Sequence, residues 1–313
     1  MTNPIIAIDR LSKNYGPVQA VRGISFEIRP GEFFGLLGPN GAGKTTTFGM
    51  LTGLVEPSGG KIDIDGMDLC SRPREAKRKM GIVPQGFAFY PTLDAIENLN
   101  FFGRIYGLSG PHLKARIALV LNLVALEGKA RQRVGTYSNG MKRRLNIAIG
   151  LLHEPEIVIL DEPTVGIDTQ SRNAILESLG NLNKAGITVL YTTHYIEEAE
   201  QLCQRVAIMD QGEIIALDTP SNLVRSFAKA LIQIELFETL EDRLVLPLGK
   251  IGPWNWADEK KRRLHLETET PEAALRFLFE WREAGKIPLK TLNLLEPSLE
   301  SVFIHLTGRD LRE

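Results

Sequence analysis

Cysteine is scarce in this sequence, which contains only Cys70 and Cys203. Two cysteines are too few for a disulfide framework, and their separation does not match the spacing of metal ligands. This usage fits a reducing compartment such as the cytoplasm. We expect both side chains to be buried as small apolar groups.

Long apolar runs are also missing from the sequence. No uninterrupted stretch approaches the roughly 18 to 20 apolar residues that span a bilayer. The first residues, MTNPIIAIDRL, lack a basic segment followed by an apolar one, which is the pattern of a secretory signal. We therefore expect the chain itself to stay out of the membrane.

Charge of either sign is barely in excess. Lys and Arg total 37, Asp and Glu total 38, and the formal net charge is -1. Such a balance provides no global field for nucleic acid or anionic lipid, so no nucleic-acid partner is expected. We interpret the basic runs as solvated surface, and these runs are Arg72–Lys79, Lys142–Arg144 and Lys260–Arg263.

The composition that remains is that of an ordinary globular protein. The 313 residues are 43% apolar and 24% charged, far from the compositions of disordered or fibrous chains. This length exceeds what one hydrophobic core usually supports. We expect a main domain and a smaller second domain.

Apolar alternation opens the chain. Apolar residues alternate at Ile6 and Ile8, and again at Ile24, Phe26 and Ile28, before a Pro-Gly turn. This period of two is typical of half-buried antiparallel strands. The sequence therefore predicts a small antiparallel β layer at the start of the protein.

Continuous apolar runs follow and indicate a different kind of sheet. Phe33–Leu37, Ile157–Leu160 and Thr188–Tyr191 each have the look of a strand buried on both faces. Between the last two, apolar residues recur at helical spacing from Ile175 to Leu182. Strand, helix, strand is the unit of a parallel sheet, so an α/β core is expected.

The apolar pattern of the remaining chain predicts a helical insertion, a hairpin and a second small domain. From about residue 86 to 137, apolar residues at helical spacing between Leu113 and Val124 predict a helical insertion. Arg205–Asp218 predicts a hairpin that turns at Gln211 and Gly212. The tail then predicts an α+β domain with strands at Leu231–Leu236 and Arg263–Glu267 and helices at Pro271–Ala284 and after Pro297.

A glycine-rich loop directly follows the first buried strand. Gly38, Gly43, Lys44 and Thr45 satisfy G-x-x-x-x-G-K-[ST], and a helical stretch, Thr46–Leu51, comes next. In this motif backbone N–H groups wrap phosphates, the lysine reaches the β and γ oxygens, and the threonine holds magnesium. The alternative, a flexible loop with a chance lysine, is disfavoured by the flanking strand and helix. The motif predicts nucleoside triphosphate binding.

Two adjacent carboxylates end the second buried strand. Asp161 and Glu162 would lie at the C-terminal edge of a parallel sheet, where ligands bind in such folds. Asp161 is suited to hold magnesium through water, and Glu162 to accept a proton from an attacking water. Alone, the pair could merely cap a strand before Pro163. Together with the phosphate loop it predicts hydrolysis.

A third motif identifies a family. Tyr137-Ser138-Asn139-Gly140-Met141 precedes a helical stretch and resembles the signature sequence of ATP-binding cassette (ABC) proteins. The resemblance covers residues from about 5 to 220, with six motifs in the family's order. The other matching positions are Gln85 in the Q-loop, Val165–Asp168 as the D-loop, His194 as the switch histidine and Tyr15 as the adenine-stacking aromatic.

The signature departs from the family's usual Leu-Ser-Gly-Gly-Gln at its first, third and fifth positions. The two chemical positions remain, because Ser138 offers a hydroxyl and Gly140 an unhindered backbone N–H. Asn139 tolerates left-handed backbone angles and is an acceptable substitute for glycine. In the family this signature serves the nucleotide on a second cassette. The resemblance therefore implies a head-to-tail homodimer that traps two ATP molecules.

The fold and site residues follow from the same resemblance. It implies a P-loop NTPase of the ABC ATPase type over residues 1–222, with a RecA-like parallel core sheet, an N-terminal antiparallel β layer and a helical insertion at about 86–137. Residues 223–313 would form a small C-terminal α+β accessory domain. The implied cofactors are ATP and Mg²⁺. The implied catalytic residues are Lys44, Gln85, Glu162 and His194; the metal ligands Thr45, Gln85 and Asp161; and the nucleotide contacts Tyr15, Gly38, Pro39, Asn40, Gly41, Ala42, Gly43, Lys44, Thr45, Thr46, Ser138, Gly140 and Asp168.

Three of these interpretations have plain alternatives. His194 would more commonly be an ordinary polar residue at a strand end, and Tyr15 a packing aromatic. The aromatic stretch Phe87–Pro91 is either core packing for the helical insertion or a groove for a membrane partner's cytoplasmic helix. In the second case Gln85 would link movement of the partner to the γ-phosphate.

Several short sequence segments resemble one branch of the family. Met141–Leu145, Thr193–Tyr195 with the following Glu197–Glu200, and Glu296–Phe303 resemble bacterial type-2 ABC exporters, the group of the daunorubicin-resistance and sodium-export ATPases. This implies export through a separate integral membrane permease, with the chain as a peripheral protein on the cytoplasmic side of the cell membrane.

Three other classes compete with export. A non-catalytic regulator that uses the cassette only as a scaffold would be expected to lose Glu162, Lys44 or His194, and all three are present. ABC import ATPases share every chemical motif and remain the nearer alternative, because fold analogy alone separates them from exporters. A nucleic-acid ATPase of the same superfamily would need a coiled-coil insertion, a zinc module or a second cassette, none of which the sequence contains.

Overall fold

The computed structural model describes residues 3–226, 230–239, 246–295 and 298–308. The chain divides into two compact units, Met1–Ala216 and Leu217–Glu313. Glu296 and Pro297, two of the residues that resemble the exporter branch, lie outside the described residues. Within the described ranges, no helix is both long enough and apolar enough to cross a membrane.

The described residues form the following strands and α-helices. The strands are β1 (Ile6–Tyr15), β2 (Val18–Ile28), β3 (Phe33–Leu37), β4 (Gly59–Ile64), β5 (Met67–Asp68), β6 (Met80–Val83), β7 (Ile157–Asp161), β8 (Thr188–Thr193), β9 (Arg205–Asp210), β10 (Glu213–Asp218), β11 (Ala230–Leu236), β12 (Trp254–Trp256), β13 (Arg263–Thr268) and β14 (Leu289–Leu295). The α-helices are α1 (Lys44–Leu51), α2 (Pro73–Arg78), α3 (Ala95–Ile105), α4 (Gly110–Leu123), α5 (Asn139–Leu151), α6 (Thr169–Lys184), α7 (Ile196–Leu202), α8 (Pro220–Ser226), α9 (Pro271–Glu283) and α10 (Leu299–Thr307).

The N-terminal sheet of the first unit has the order β2-β1-β4-β5. Its strands pair in antiparallel fashion, with Ile6 opposite Ile28 on one side and opposite Ile64 on the other. Ile6 and Ile8 on β1 and Ile24, Phe26 and Ile28 on β2 are buried, whereas Ala7, Ser25 and Glu27, which alternate with them, are more exposed. The predicted antiparallel layer is confirmed, because period-two alternation places one face of each strand against the core.

The second sheet of the first unit has the order β10-β9-β3-β8-β7-β6. Strands β9, β3, β8, β7 and β6 run parallel to one another. Every residue of β3, β7 and β8 is buried, as the continuous apolar runs predict. Parallel strands end at the same edge, so the segments that follow Leu37, Asp161 and Thr193 lie side by side.

Two helices, α3 and α4, occupy the chain between β6 and α5. Helix α3 begins at a capping box in which the Asp94 carboxylate accepts the Glu97 N–H and the Glu97 carboxylate accepts the Asp94 N–H, each at 2.8 Å. Helix α4 buries Leu113, Ile117 and Val120. The predicted amphipathic stripe of this segment is confirmed.

The second unit contains its own sheet in the order β12-β13-β11-β14. All three strand pairings are antiparallel. Helix α9 packs Ala274 and Leu278 into the core of this unit, and α10 begins at a capping box on Ser298. The strands and helices predicted for the tail are present. Strands β12 and β14 were not predicted, because β14 buries only Leu289 and β12 is three residues long.

Two expectations about burial were wrong. Cys203 is buried, but Cys70 is exposed, because it lies in a turn after β5 that is closed by the Ser71 N–H and the Asp68 carboxylate at 2.7 Å. The basic run at 142–144 is not simply solvated. Arg143 is only 4% exposed, and its guanidinium donates to the Pro84 carbonyl at 3.0 Å.

Truncation of Leu278 tests the core of the second unit. Leu278→Ala is expected to lower the free energy of unfolding by about 2–5 kcal/mol, because a fully buried leucine leaves a cavity. The three tryptophans of the chain, Trp254, Trp256 and Trp281, all lie in this unit. Urea unfolding followed by tryptophan fluorescence therefore reports on this unit alone.

The matched control for this substitution is Phe279→Ala on the same helix. Phe279 is 48% exposed, and surface truncations usually change stability by less than about 0.5 kcal/mol. Equal fluorescence midpoints for the two variants would contradict the packing described for α9.

Candidate active site

The loop between β3 and α1 carries the predicted phosphate-binding residues, Gly38 to Thr46. Gly43 adopts a left-handed conformation with φ of 105°. A Cβ at Gly43 would lie 2.6 Å from the Ala20 carbonyl oxygen, so only glycine fits there. Helix α1 starts at the next residue, and the unsatisfied N–H groups of its first turn favour an anion.

Lys44 folds back over this loop. Its side chain is 4% exposed, and its ammonium group donates to the carbonyl oxygens of Gly38 at 2.8 Å and Pro39 at 3.0 Å. The same nitrogen lies 3.2 Å from Oε1 of Glu162 at the end of β7. The predicted phosphate-binding lysine and the predicted base are therefore in direct contact.

The backbone of Glu162 is strained. It has a φ of 43°, although it precedes a proline and such residues are normally extended. A left-handed non-glycine residue costs about 1–3 kcal/mol and persists only when its surroundings hold it. The Glu162 N–H donates to both the carbonyl oxygen and the hydroxyl of Thr192, at 3.1 and 3.0 Å. These bonds hold the carboxylate in place.

Two further predicted residues reach the same carboxylate. Nδ1 of His194 lies 3.3 Å from Oε1 of Glu162, and Nε2 of Gln85 donates to Oε2 at 3.5 Å. Burial by itself raises the pKa of Glu162, but the imidazole of His194 and the charge of Lys44 outweigh burial and leave the pKa below its ordinary value. The group is therefore an ionised acceptor at neutral pH.

Asp161 lies one residue earlier and inside the sheet. Its Oδ1 accepts the Thr192 hydroxyl at 2.6 Å, so Thr192 contacts both acids of the strand end. Burial raises the pKa of Asp161, and hydrogen bonds from Thr192 and Thr45 oppose the rise. The hydroxyl of Thr45 and the carboxylate of Asp161 thus form an adjacent pair of oxygen donors, the type that magnesium prefers.

A polar cavity of about 210 Å³ opens over these groups. It is lined by Ala20, Asn40, Gly41, Gly43, Lys44, Thr45, Thr46, Gln85 and Glu162. The fold therefore brings the phosphate loop, the predicted base and the Q-loop glutamine to one cavity. Tyr15 is not part of this lining. It lies half exposed at the end of β1, with the Lys13 ammonium 5.2 Å from the centre of its ring.

The signature residues are also outside the cavity. Ser138 is the N-cap of α5, and its hydroxyl accepts the Met141 N–H at 3.2 Å. Asp168 caps α6 in the same way, accepting the Ser171 N–H at 2.9 Å. Gly140 faces α6 so closely that a Cβ there would lie 2.2 Å from the Ser171 hydroxyl oxygen. Within this chain Gly140 is required for helix packing.

The sequence motifs do not predict a role for Asn146, which the structure places beside the site. Its amide on α5 accepts the Ala88 N–H at 3.1 Å and donates to the carbonyls of Pro84 and Gly86 at 3.2 and 3.1 Å. It thus holds the backbone on both sides of Gln85. The available signal was a buried asparagine inside a helix, a position that this residue disfavours on propensity alone.

The amino-acid sequence is similar to those of known proteins. The sequence profile of the family described as "ABC transporter" matches residues 21–165. The chain is 43% identical over 312 residues to the linearmycin resistance ATP-binding protein of Bacillus subtilis, covering 99% of this chain and 100% of the relative. It is 38% identical over 317 residues to the Nod factor export ATP-binding protein I of Paraburkholderia xenovorans, covering both chains fully.

Solved structures are similar over the larger part of the chain. An ATP-binding subunit of an ABC transporter superposes with a TM-score of 0.65 and 31% identity, covering 71% of this chain and 93% of that one. A dimeric ATP-binding cassette in a post-hydrolysis state, bound to ADP and Pi, has a TM-score of 0.63 and 27% identity, covering 68% and 98%.

The contact between α5 and α6 yields a stability prediction. Gly140→Ala is expected to lower the free energy of unfolding by about 1–3 kcal/mol, because the new methyl group overlaps Ser171 and forces the two helices apart. Chemical denaturation followed by circular dichroism measures this loss. Gly128→Ala is the control, because a Cβ at Gly128 meets no atom within 4 Å.

The cause is tested by removing the obstacle. In a Ser171→Gly background, which itself weakens α6 by about 1 kcal/mol, the added cost of Gly140→Ala should be largely lost. Fully additive losses in this cycle would show that the overlap with Ser171 is not the cause.

Proposed function

The chain belongs to the ABC transporter ATP-binding proteins, and from this premise we propose that its cavity is one half of an ATP-hydrolysing site completed by a second copy of the chain. Its full-length relatives identify it as the ATPase subunit of an ABC exporter. The observation that carries the site assignment is the Glu162 carboxylate, which is within 3.5 Å of Lys44, His194 and Gln85.

Lys44 and Glu162 form an ion pair that the phosphates of a bound nucleotide would displace. Both side chains are more than nine-tenths buried, and each supplies the other's counter-charge. The phosphate oxygens of ATP compete with Glu162 for the Lys44 ammonium. When Lys44 turns to the phosphates, Glu162 loses a cation at 3.2 Å, so its pKa rises toward that of a competent base.

Glu162 then acts as the general base toward water. Its strained backbone keeps the carboxylate at the mouth of the phosphate loop, and Gln85 and His194 restrict it from either side. Because His194 follows β8 directly, its ring is held against Glu162, which itself lines the cavity. From this position His194 orients the attacking water or contacts the γ-phosphate. Gln85 links the position of the segment that follows it to the site.

The oxygen donors beside the cavity fit a magnesium ion. Proteins usually bind Mg²⁺ through one or two carboxylates together with substrate phosphates. The Thr45 hydroxyl, the Asp161 carboxylate and the Gln85 side-chain oxygen would hold it, and the ion would neutralise charge on the phosphates. The hydrogen bonds that Thr192 and Thr45 make to Asp161 keep this carboxylate oriented although burial raises its pKa.

The residues outside the cavity suit a composite site. Ser138 is exposed at the N-terminus of α5, where the helix dipole favours an anion, and Asp168 is exposed at the start of α6. One solved relative is a dimer bound to ADP and Pi. We therefore place Ser138 and Gly140 of one copy over the nucleotide of the other. Tyr15 lies half exposed at the end of β1, and we assign it to stacking on the adenine.

Glu162→Gln is the experiment that tests the site. Hydrolysis by the purified chain should fall by about 10²- to 10⁴-fold, since the amide cannot accept the proton. Affinity for ATP should be kept or increased, because the substitution removes the group that competes for Lys44. Phosphate release and binding of a fluorescent ATP analogue measure the two effects. Undiminished hydrolysis would remove Glu162 as the base.

The composite arrangement is examined in the same background. Glu162→Gln is expected to accumulate an ATP-dependent dimer, visible by light scattering. Adding Ser138→Arg places a bulky side chain where the partner's phosphates would lie, so the dimer should disappear while each copy still binds ATP. A dimer that persists with Arg at position 138 would contradict the placement of the signature.

An aromatic surface next to the Q-loop suits the permease. It is formed by Phe87, Phe89, Tyr90 and Phe101, with Phe87 stacked on Phe89 at 5.4 Å and Tyr90 edge-on to Phe101 at 4.9 Å. Three of the four are more than 40% exposed, so the alternative of core packing is disfavoured.

The aromatic surface is fastened to the site. Asn98 accepts the Tyr90 N–H at 2.8 Å and donates to its carbonyl at 3.0 Å, and Asn146 holds the backbone from Pro84 to Ala88. A helix of the permease that moves this surface would therefore move Gln85 relative to Glu162. On this account the chain works at the cytoplasmic face of the cell membrane, and the permease contacts the cargo.

Phe101→Asp tests the docking assignment. The charge should abolish co-purification with the permease from native membranes. ATP hydrolysis by the purified chain should stay within about twofold, because Phe101 does not line the cavity over Glu162. Leu119→Asp on α4 is the control, since Leu119 is 50% exposed and lies outside the aromatic surface. Equal recovery of the permease with both variants would place docking elsewhere.

A further inference from the structure

A second buried carboxylate lies close to the active site. Glu198, on α7, is 1% exposed. Its Oε2 accepts the Tyr191 hydroxyl at 2.5 Å and the Thr193 hydroxyl at 2.9 Å, and its Oε1 accepts Nε–H of Arg172 at 2.7 Å. The carboxylate is thus surrounded by three donors from two other elements, β8 and α6. Nothing in the mechanism above uses it.

The residues on either side of His194 in the chain, Thr193 and Tyr195, are joined to Glu198 directly or through its partners. Thr193 precedes the histidine, and its hydroxyl, which donates to Glu198, also accepts the Tyr195 N–H at 2.9 Å. The Tyr195 ring lies 4.3 Å from the His194 ring. The Arg172 guanidinium, which also bonds Glu198, lies 4.3 Å from the centre of the Tyr195 ring. Thr193 and Arg172 both bond Glu198 directly, and Tyr195 contacts both of them.

The same carboxylate connects the histidine loop with two other parts of the site. Arg172 lies in the first turn of α6, and its backbone N–H donates to the backbone carbonyl of Asp168 at 2.9 Å. The Tyr191 hydroxyl, bonded to Glu198, is 3.4 Å from the hydroxyl of Thr164, two residues after Glu162. The loop after β7, the loop after β8 and the start of α6 therefore share one buried anion.

We propose that Glu198 is a positioning residue that sets His194 against Glu162 and keeps the Asp168 end of α6 in register with it. This inference rests on the proposed roles of Glu162 and His194. Glu198 touches neither the cavity nor the phosphate loop, so it acts on hydrolysis through His194 and not on nucleotide binding. A carboxylate suits this place because its two oxygens together accept all three hydrogen bonds.

Substitution of Glu198 separates this role from simple stability. In Glu198→Gln the amide offers one acceptor oxygen and turns donors toward another donor, so His194 loses its support. The expected result for the purified chain is a kcat about 10- to 100-fold lower, with KM and ATP affinity within about threefold. Glu198→Asp keeps the charge and should recover part of kcat. Glu197→Gln, an exposed neighbour on the same helix, should leave kcat within about twofold.

A double-mutant cycle tests the route through His194. If Glu198 acts through the imidazole, Glu198→Gln should lower kcat by no more than about twofold in a His194→Ala background. Losses that multiply in the double variant would overturn the proposal, as would an unchanged kcat in Glu198→Gln. If Glu198→Gln does not fold, Thr193→Val provides the same test, because it removes the hydroxyl that joins Glu198 to the Tyr195 N–H.

A readout without hydrolysis keeps the two proposals apart. The His194 imidazole signal in a proton–carbon NMR spectrum is assigned by its loss in His194→Ala. In Glu198→Gln this signal should shift or broaden, while those of the other four histidines stay in place. An unmoved His194 signal would overturn the positioning role even if the wild-type chain hydrolysed ATP. A wild-type chain without hydrolysis, but with a shifted signal, would instead count against the proposed function.

Discussion

The buried contact between the Lys44 ammonium and the Glu162 carboxylate constrains the whole core sheet. An ion that loses its partner in such a place costs several kcal/mol, so the two groups must stay within reach. They come from strands that are not neighbours, because β8 lies between β3 and β7. Only a parallel sheet in matching register brings the loop after β3 and the end of β7 to 3.2 Å across the strand between them. The strand in the middle contributes as well, through the Thr192 bonds that hold Glu162 in its strained conformation.

Seen from this pair, the remaining polar groups form two supports. Asn146 and Arg143 of α5 hold the segment before and after Gln85, and so tie the signature helix to the aromatic surface. On the other side, Glu198 ties the loop of His194 to α6. Both supports consist of buried polar side chains that hydrogen-bond to other groups of the protein, which rigidifies a site in a way that apolar packing does not. The chemistry thus depends on residues that never contact the nucleotide.

Much of the fold could be predicted because period and length decide it. The buried runs of β3, β7 and β8, the stripe of α4 and the hairpin at Gln211 and Gly212 follow from local pattern, and each is present. The errors concern burial. Cys70 lies in a turn that exposes it, and Arg143 is drawn inward by a carbonyl 59 residues away. Hydrophobicity states what a residue prefers, whereas these two were decided by distant partners that no local window contains.

The sequence by itself determined the chemical inventory: a loop that wraps phosphates, two acids at the end of a buried strand, and a serine and glycine ahead of a helix. It did so because glycine conformations, helix starts and strand ends are set by neighbouring residues. Only the tertiary structure decided that Glu162 pairs with Lys44 and His194, that Gly140 abuts Ser171, and that Glu198 supports the histidine loop. The contacts of Glu162, of Gly140, and of Glu198 with Arg172 join segments tens to more than a hundred residues apart. Their distances depend on sheet order and register, which only the folded chain fixes.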